Sequence, residues 1–166
     1  VLAALGVEDY GIYNVVGGIV TMFTFLNYAM GNSSHRYITF ALGKGDKKEL
    51  YAVVSVTFII HLAIAIIILI LAETVGLWFF QNKMVIPEER MYAAGWVYQF
   101  SIIACMATVI CVPFNAMIIA HEKMEAYAMI SILDAVLKLA IVFFIQAYGG
   151  DKLILYAALI LAVGLW

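Results

Sequence analysis

The sequence predicts an all-α fold, a polytopic bundle of transmembrane helices, and three observations support this prediction. Apolar residues make up 66% of the 166 residues and charged residues only 12%, about half the charged share of an ordinary water-soluble domain. The apolar residues fall into runs of about 20 or more, the length that a helix needs to cross a bilayer. They also surround each predicted helix instead of forming a single stripe, which is typical of helices buried in lipid.

Four runs are long enough to span a membrane, and a fifth begins near the end of the chain. Strands are excluded, because membrane strands need only about 9–11 residues and alternate in polarity. A helix satisfies its backbone polar groups within the segment, as lipid requires. Both ends of the chain lie inside apolar runs, so we expect a fragment of a longer protein in which residues 1–6 are the tail of an earlier helix. The predicted spans are 10–32, 50–72, 91–120, 124–148 and, cut short, 153–166.

The polar links between the spans predict how the chain is oriented. Links 33–49 and 121–123 together carry five Lys and Arg residues, whereas the links on the opposite side carry three. In membrane proteins the cytoplasmic loops hold the excess of Lys and Arg. We therefore expect links 33–49 and 121–123 in the cytoplasm. The net charge of −2 provides no basic field, so no nucleic-acid partner is expected.

The sequence contains no pattern typical of catalysis or metal binding. It lacks a glycine-rich phosphate loop, the HExxH pattern of zinc proteases and the GxSxG pattern of hydrolases. Cys105 and Cys111 lie six residues apart on a predicted helix, so they point to different faces and are interpreted as small buried hydrophobes. We expect no enzyme activity, no metal and no bound cofactor.

Two charges lie inside the fourth span, in the stretch ISILDAVLKLAIVFF. Asp134 and Lys138 are four residues apart, so their side chains share one helix face. Each charge costs roughly 2.5–3.5 kcal/mol at the centre of a membrane helix, and pairing on an exposed helix recovers only a few tenths of a kcal/mol. We therefore expect the pair to face other helices or water instead of lipid. One interpretation is a neutral pair that fixes the rotation of the helix. The other is a cavity site where Lys138 attracts an anion such as phosphate, while Asp134 orients Lys138 or takes up a proton.

Three more residues are candidates for lining such a cavity, and a fourth is a candidate hinge in a helix. Most of them also have a simpler interpretation. His61 lies near mid-depth of the second span, as a hydrogen-bonded packing residue or as part of a proton relay. Arg36 either contacts lipid headgroups or forms a cationic entrance to the cavity. Asn27 is a polar position of the first span that can line the same space. Pro113 removes one helix hydrogen bond and frees the carbonyl of Val109, which gives either a packing kink or a hinge.

A resemblance rests on four stretches that cover nearly the whole chain: LGVEDYGIYNVVGG, SSHRYITFALGKGD, ETVGLWFFQNKMVIPEERMYAAGWVYQFS and VPFNAMIIAHEKMEAYAMISILDAVLKLAIVFF. They resemble bacterial polysaccharide flippases, the Wzx-type branch of the MATE-like multidrug/oligosaccharidyl-lipid/polysaccharide exporter superfamily. The resemblance implies a two-lobed helical protein with a central cavity, in which residues 1–166 are a partial N-terminal lobe.

The resemblance also implies an activity. Such a protein flips undecaprenyl-diphosphate-linked oligosaccharide, a precursor of O-antigen, capsule or exopolysaccharide, across the bacterial inner membrane by alternating access. The resemblance implies no cofactor, and some members of the family couple transport to a gradient of an ion such as H+ or Na+. The implied partners are the lipid-linked oligosaccharide, membrane lipids and other membrane proteins of glycan assembly. On this interpretation Lys138 lines the cavity, Asp134 orients it, and Arg36 and His61 contribute.

Three alternatives stay open. A drug/ion antiporter of the same superfamily would use a carboxylate that acts alone, and Lys138 beside Asp134 argues against this. A membrane enzyme of glycan assembly, such as a polymerase or ligase, would need a large external loop with catalytic residues, and the predicted outer links are short. A membrane scaffold would give the charges inside the spans only a packing role.

Overall fold

The computed structural model describes residues 1, 5–21, 24–84, 86–147 and 151–164, and the regular elements within these ranges are all helical. The prediction of an all-α fold is confirmed for this part of the chain. The elements are α1 (Val7–Thr21), α2 (Thr24–Gly43), α3 (Lys47–Leu71), a π-helix (Ala72–Gly76), α4 (Leu77–Lys83), α5 (Glu88–Ala120), α6 (Met124–Ala147) and α7 (Lys152–Gly164).

Three helical segments are long and apolar enough to cross a membrane, by length and composition: Lys47–Lys83, Glu88–Ala120 and Met124–Gln146. They contain most of the predicted spans 50–72, 91–120 and 124–148. The predicted span 10–32 is divided between α1 and α2, and residues 22–23 lie outside the described part. Helix α7 is a shorter apolar helix that covers most of the predicted 153–166. Of the predicted tail at residues 1–6, residues 2–4 also lie outside the description.

The predicted link at 33–49 is largely helical, a feature that its polarity did not indicate. Helix α2 continues to Gly43. The Ser33 and Ser34 hydroxyls donate to the carbonyls of Ala29 and Met30, 3.2 and 2.8 Å away, so these polar side chains are accommodated within the helix. Polar residues therefore mark where this helix gains a polar surface and do not mark where it ends.

The break between α2 and α3 is short and has local causes. Gly45 adopts a φ of 75°, the left-handed conformation that ends helices and that glycine tolerates best. Asp46 then caps α3, because its carboxylate accepts a hydrogen bond from the Lys48 backbone N–H at 2.9 Å.

Helix α5 is the centre of the bundle and contacts α1, α2, α3 and α7. Its buried side chains repeat at helical spacing, with Val97, Tyr98, Ile102 and Val109 all at most 1% exposed. Helix α6 packs mainly against α7 and only slightly against α5. One long apolar helix surrounded by others positions the remaining elements.

The π-helix forms where α5 contacts the end of α3. The Tyr98 hydroxyl donates to the Ala72 carbonyl at 2.7 Å, and the Leu77 N–H reaches the same oxygen. The Tyr98 ring stacks on Phe80, with centroids 5.2 Å apart. A side chain at Gly76 would overlap the Tyr98 hydroxyl oxygen. The second span therefore continues past residue 72, where the sequence predicted its end, through the π-helix to Lys83.

Glycine at position 122 is expected to stabilise the protein. Glu122 is exposed in the turn between α5 and α6 and has a φ of 55°, a conformation that costs an L-residue about 1–2 kcal/mol. Glycine removes that cost but adds chain entropy to the unfolded state, so Glu122→Gly should gain about 0.5–1 kcal/mol. Thermal unfolding in detergent measures this. As a control, Glu125→Gly in the first turn of α6 should lose about 1 kcal/mol. A lower Tm for Glu122→Gly would contradict the explanation.

Candidate functional site

Asp134 and Lys138 form an ion pair on α6. The Lys138 Nζ lies 2.8 Å from Asp134 Oδ2, one helical turn away. The side chains are 40% and 48% exposed, respectively. An ammonium group has three donors, and Asp134 takes one of them, so Lys138 keeps donors for a second anion.

The pair lies on the stripe of α6 that contacts the rest of the bundle. Asp134, Lys138, Ile141 and Ile145 fall within about 60° of the helix circumference. Ile141 and Ile145 are buried in a cluster with Tyr156 of α7. The other described side chains of α6 are exposed or half-buried. The charges thus lie on the same side of α6 as its buried residues, at a point where both side chains are well exposed.

His61 has a different setting. It is 1% exposed on the side of α3 that also carries the buried Ala65 and Ile68. Its Nδ1 lies 2.8 Å from the Thr57 carbonyl oxygen, and since a carbonyl only accepts, Nδ1 carries the hydrogen. Its Nε2 is buried and has no hydrogen-bond partner in the described part of the chain. His61 therefore lies inside the packed helical bundle and away from its accessible surface.

The remaining sequence candidates are not joined to the pair by the contacts that the structure describes. Arg36 is exposed on the helical part of the predicted link, and no ion pair to it occurs among the described residues. Asn27 lies in α2, and its side chain is outside the described part. Pro113 is buried within α5, which continues on both sides of it to Ala120. The structure thus brings together Asp134 and Lys138, while the others occupy separate places.

A second charged group, which the sequence analysis did not single out, joins three helix beginnings. Arg90 in the first turn of α5 lies 3.3 Å from Asp9 Oδ1 in α1 and 3.6 Å from Asp151 Oδ2. Asp151 also accepts from the Leu153 N–H at 3.1 Å at the start of α7. Asp9 is 8% exposed, unlike its two partners. The signal in the sequence was the occurrence of both charge signs in the links predicted on one side of the membrane.

Burial dominates the electrostatics of Asp9. It raises the pKa of the Asp9 carboxyl above its ordinary value, Arg90 lowers that pKa by less, and Asp151 and Glu8 raise it further. The geometry alone suggests a stabilising ion pair, yet the net direction is upward because the carboxylate has lost its water. The cluster therefore ties the helix ends together at a cost that depends on pH.

The Asp9→Asn variant is expected to gain stability relative to the wild type as the pH rises. The pKa of Asp9 is higher in the folded protein than in the unfolded chain. Asp9 therefore stabilises the fold fully at pH values below its unfolded pKa of about 3.9, and this stabilisation is lost as the pH rises through the folded pKa. The Tm of Asp9→Asn minus that of the wild type should increase over this window and then stay constant. Thermal unfolding from about pH 4 to 8 measures it, with Glu125→Gln as the exposed control, because Glu125 is not among the charges that act on Asp9. A decreasing difference would mean that the Arg90 attraction exceeds the effect of burial.

The charged pair is accessible and keeps unused donors on Lys138, so it can hold an anion. Within the described residues, no group of three or more His, Cys, Asp and Glu side chains is arranged to hold a metal ion. Comparisons of the chain with protein-family models, with curated proteins and with solved structures gave no match.

Proposed function

We propose that this chain is part of the N-terminal lobe of a MATE-like transporter in the bacterial inner membrane. The transporter moves undecaprenyl-diphosphate-linked oligosaccharide from the cytoplasmic to the outer leaflet by alternating access. The observation that carries the proposal is the Asp134–Lys138 pair on the bundle-facing stripe of a membrane-length helix. The sequence resemblance to polysaccharide flippases supplies the substrate class.

The depth of the pair supports the proposal. Asp134 lies ten residues and Lys138 fourteen residues after Met124, the first residue of α6. At about 1.5 Å per residue, the charges lie about 15 and 21 Å along the helix, near the middle of a hydrocarbon core about 30 Å thick. A charge at this depth is costly, so membrane proteins retain one mainly where it serves a pathway or a pair.

The substrate needs such a group. A diphosphate and a polar glycan cannot enter hydrocarbon without losing their water, and this loss is the main barrier to crossing. A lysine ammonium in a hydrated cavity replaces part of that water with a direct charge-assisted hydrogen bond to phosphate. Asp134 holds Lys138 in position and keeps the empty site neutral, which lowers the cost of the charge between transport cycles.

Reconstitution of the protein that carries this chain into liposomes tests the proposal. A fluorescent oligosaccharide linked to undecaprenyl diphosphate is placed in both leaflets, and a membrane-impermeant quencher reports which leaflet it occupies. Transfer well above that of protein-free liposomes is expected. Uptake of a cationic dye without lipid transfer would support the drug/ion antiporter. The absence of both activities would overturn transport as the function.

A further inference from the structure

A groove runs along the surface of the bundle between α3 and α5, and neither Asp134 nor Lys138 lines it. It consists of three neighbouring cavities of about 300, 370 and 360 Å³, each within the usual size range of a ligand pocket. The first and second cavities share His121, and the second and third share Phe114. A common side chain thus joins each cavity to the next.

The residues that line the groove repeat about once per helical turn on both helices. They include Lys47, Tyr51, Ser55 and Ile59 on α3, and Phe114, Met117 and His121 at the end of α5. Residues one turn apart share a helix face, so a single face of each helix lines the groove. At about 1.5 Å per residue, the groove extends about 18 Å along α3.

Packing between the two helices forms the floor of the groove. Leu50 of α3 packs in a buried cluster with Ala120 of α5. Eight residues further along α3, the ring of Phe58 contacts that of Phe114 edge to face, with centroids 5.8 Å apart. The helices are therefore antiparallel neighbours here, and the groove exists without a ligand.

The lining of the groove changes from charged to apolar along its length. Lys47, His121 and Lys123 lie at the end nearest the turns that join the helices. Tyr51 comes one turn further along α3 and has the apolar body and polar tip typical of a membrane interface. The third cavity is lined by apolar side chains apart from Ser55. The groove therefore fits an amphipathic molecule with an anionic group at one end.

The two lysines of the groove keep their ammonium groups available for such an anion. Neither Lys47 nor Lys123 takes part in an ion pair among the residues that the structure describes. Asp46 also lines the first cavity, but its carboxylate accepts a hydrogen bond from the Lys48 backbone N–H at 2.9 Å. A phosphate group at this end therefore meets two ammonium groups and one carboxylate that already caps α3.

A bilayer supplies a molecule with these properties at this position. Both helices belong to segments of membrane length. Half of a hydrocarbon core about 30 Å thick is about 15 Å, close to the length of the groove. Basic pockets between membrane helices bind the phosphate of lipid headgroups, and one acyl chain extends from such a headgroup to the middle of the bilayer.

We propose that the groove between α3 and α5 binds one phospholipid of the leaflet at this end of the bundle. The phosphate contacts Lys47 and Lys123, and an acyl chain lies in the apolar part beside Phe58 and Phe114. A lipid held in this way fixes the depth of α3 and α5 in the membrane. The proposal depends on insertion of the bundle into a membrane and does not depend on transport.

Photo-crosslinking of the protein that carries this chain, purified in detergent, tests the proposal. The probe is a phosphatidylglycerol with a diazirine in one acyl chain, and mass spectrometry locates the adducts. Residues 54–59 and 114–118 should carry several-fold more adduct than residues 66–70 of α3, which expose Ile66, Ile67 and Ile70 outside the groove. Equal yields would indicate an ordinary lipid-facing surface and would overturn the proposal.

Variants at the charged end test the phosphate contact. Lys47→Ala/Lys123→Ala should lower the adduct yield at residues 114–118 about tenfold, because both lysines near the phosphate are lost. Lys44→Ala/Lys48→Ala is the matched control, since it removes two charges from the same end but outside the groove, and should have little effect. An equal decrease in the two double variants would contradict a specific phosphate site.

Variants at the apolar end test the acyl chain. Ser55→Trp fills the third cavity and should lower the yield at residues 114–118 about as much as loss of the lysines. Ser131→Trp on α6 is the matched control, because Ser131 is also exposed on a membrane-length helix but lies outside the groove. An unchanged yield in Ser55→Trp would show that no acyl chain occupies this cavity.

Competition identifies the occupant of the groove. Unlabelled phosphatidylglycerol should remove the adducts, whereas dioleoylglycerol, which lacks a phosphate, and undecaprenyl phosphate, whose chain is branched and much longer, should not. Displacement by undecaprenyl phosphate would assign the groove to a polyprenyl lipid and overturn the proposal. No readout here involves transport, so a protein that binds phospholipid in the groove but moves no lipid-linked oligosaccharide would contradict only the proposed function.

Discussion

Alanine at position 76 is expected to destabilise the protein by about 3 kcal/mol, the sum of overpacking at a buried site and loss of one buried hydrogen bond. A Cβ at this position would overlap the Tyr98 hydroxyl oxygen, so one of the two must move. For a chain of this size the loss corresponds to a decrease of about 6–12 °C in Tm. Thermal unfolding in detergent measures it.

Tyr98 has little freedom to move away from a new side chain. It is fully buried, its ring stacks on Phe80 at an interplanar angle of 19°, and its hydroxyl bonds to the Ala72 carbonyl at 2.7 Å. Moving the hydroxyl breaks that bond, and moving the ring disturbs the core around α5. The cost therefore comes from packing and from a hydrogen bond at the same position.

Two controls separate this explanation from the general effect of a mutation. A Cβ at Gly95 has no neighbour within 4 Å, so Gly95→Ala should be neutral or stabilise α5 by up to about 1 kcal/mol. In the double variant Gly76→Ala/Tyr98→Phe, the hydroxyl is absent and the nearest ring atom is the ring carbon 3.5 Å from the new Cβ, an ordinary contact. The double variant should be more stable than Gly76→Ala alone. If it is not, the overlap with the hydroxyl is not the cause.

Composition and run length were sufficient to predict the helices but not every helix end. The apolar runs of α3, α5 and α6 are long enough that no other structure satisfies their backbone in lipid. Polarity indicated the link at residues 33–49 but did not indicate that most of it is helical. Ser33 and Ser34 bond back to their own helix, and only Gly45 and Asp46 produce the break.

Features that depend on contacts between two helices could not be predicted from the sequence. The spacing of Asp134 and Lys138 predicts that they share a face, and the structure has them in contact. The π-helix, in contrast, depends on Tyr98, which comes from α5. The Arg90 group joins residues from three elements, and the vacant Nε2 of His61 is evident only once its burial is known.

On the proposed function, loss of the ammonium group in Lys138→Ala is expected to reduce glycan export about 10- to 100-fold, the effect of losing one charge-assisted hydrogen bond to the substrate. The measurement uses cells that lack their own flippase and express the protein that carries this chain at matched membrane levels, with surface glycan as the readout. Lys138→Arg keeps the charge and should retain most export. Lys83→Ala is the matched control, because Lys83 is exposed at the end of α4 and lies 6.0 Å from the centre of the Trp78 ring, so the same charge is lost elsewhere.

The exchange variant Asp134→Lys/Lys138→Asp decides between the two roles of the pair. It keeps the net charge and the i,i+4 contact but moves the positive charge one helical turn, about 6 Å, toward the start of α6. If substrate binding needs the ammonium group at position 138, the exchange variant exports as poorly as Lys138→Ala. If export returns to the wild-type level, the pair acts only by neutralising itself inside the bundle, and the anion-binding role proposed for Lys138 is wrong.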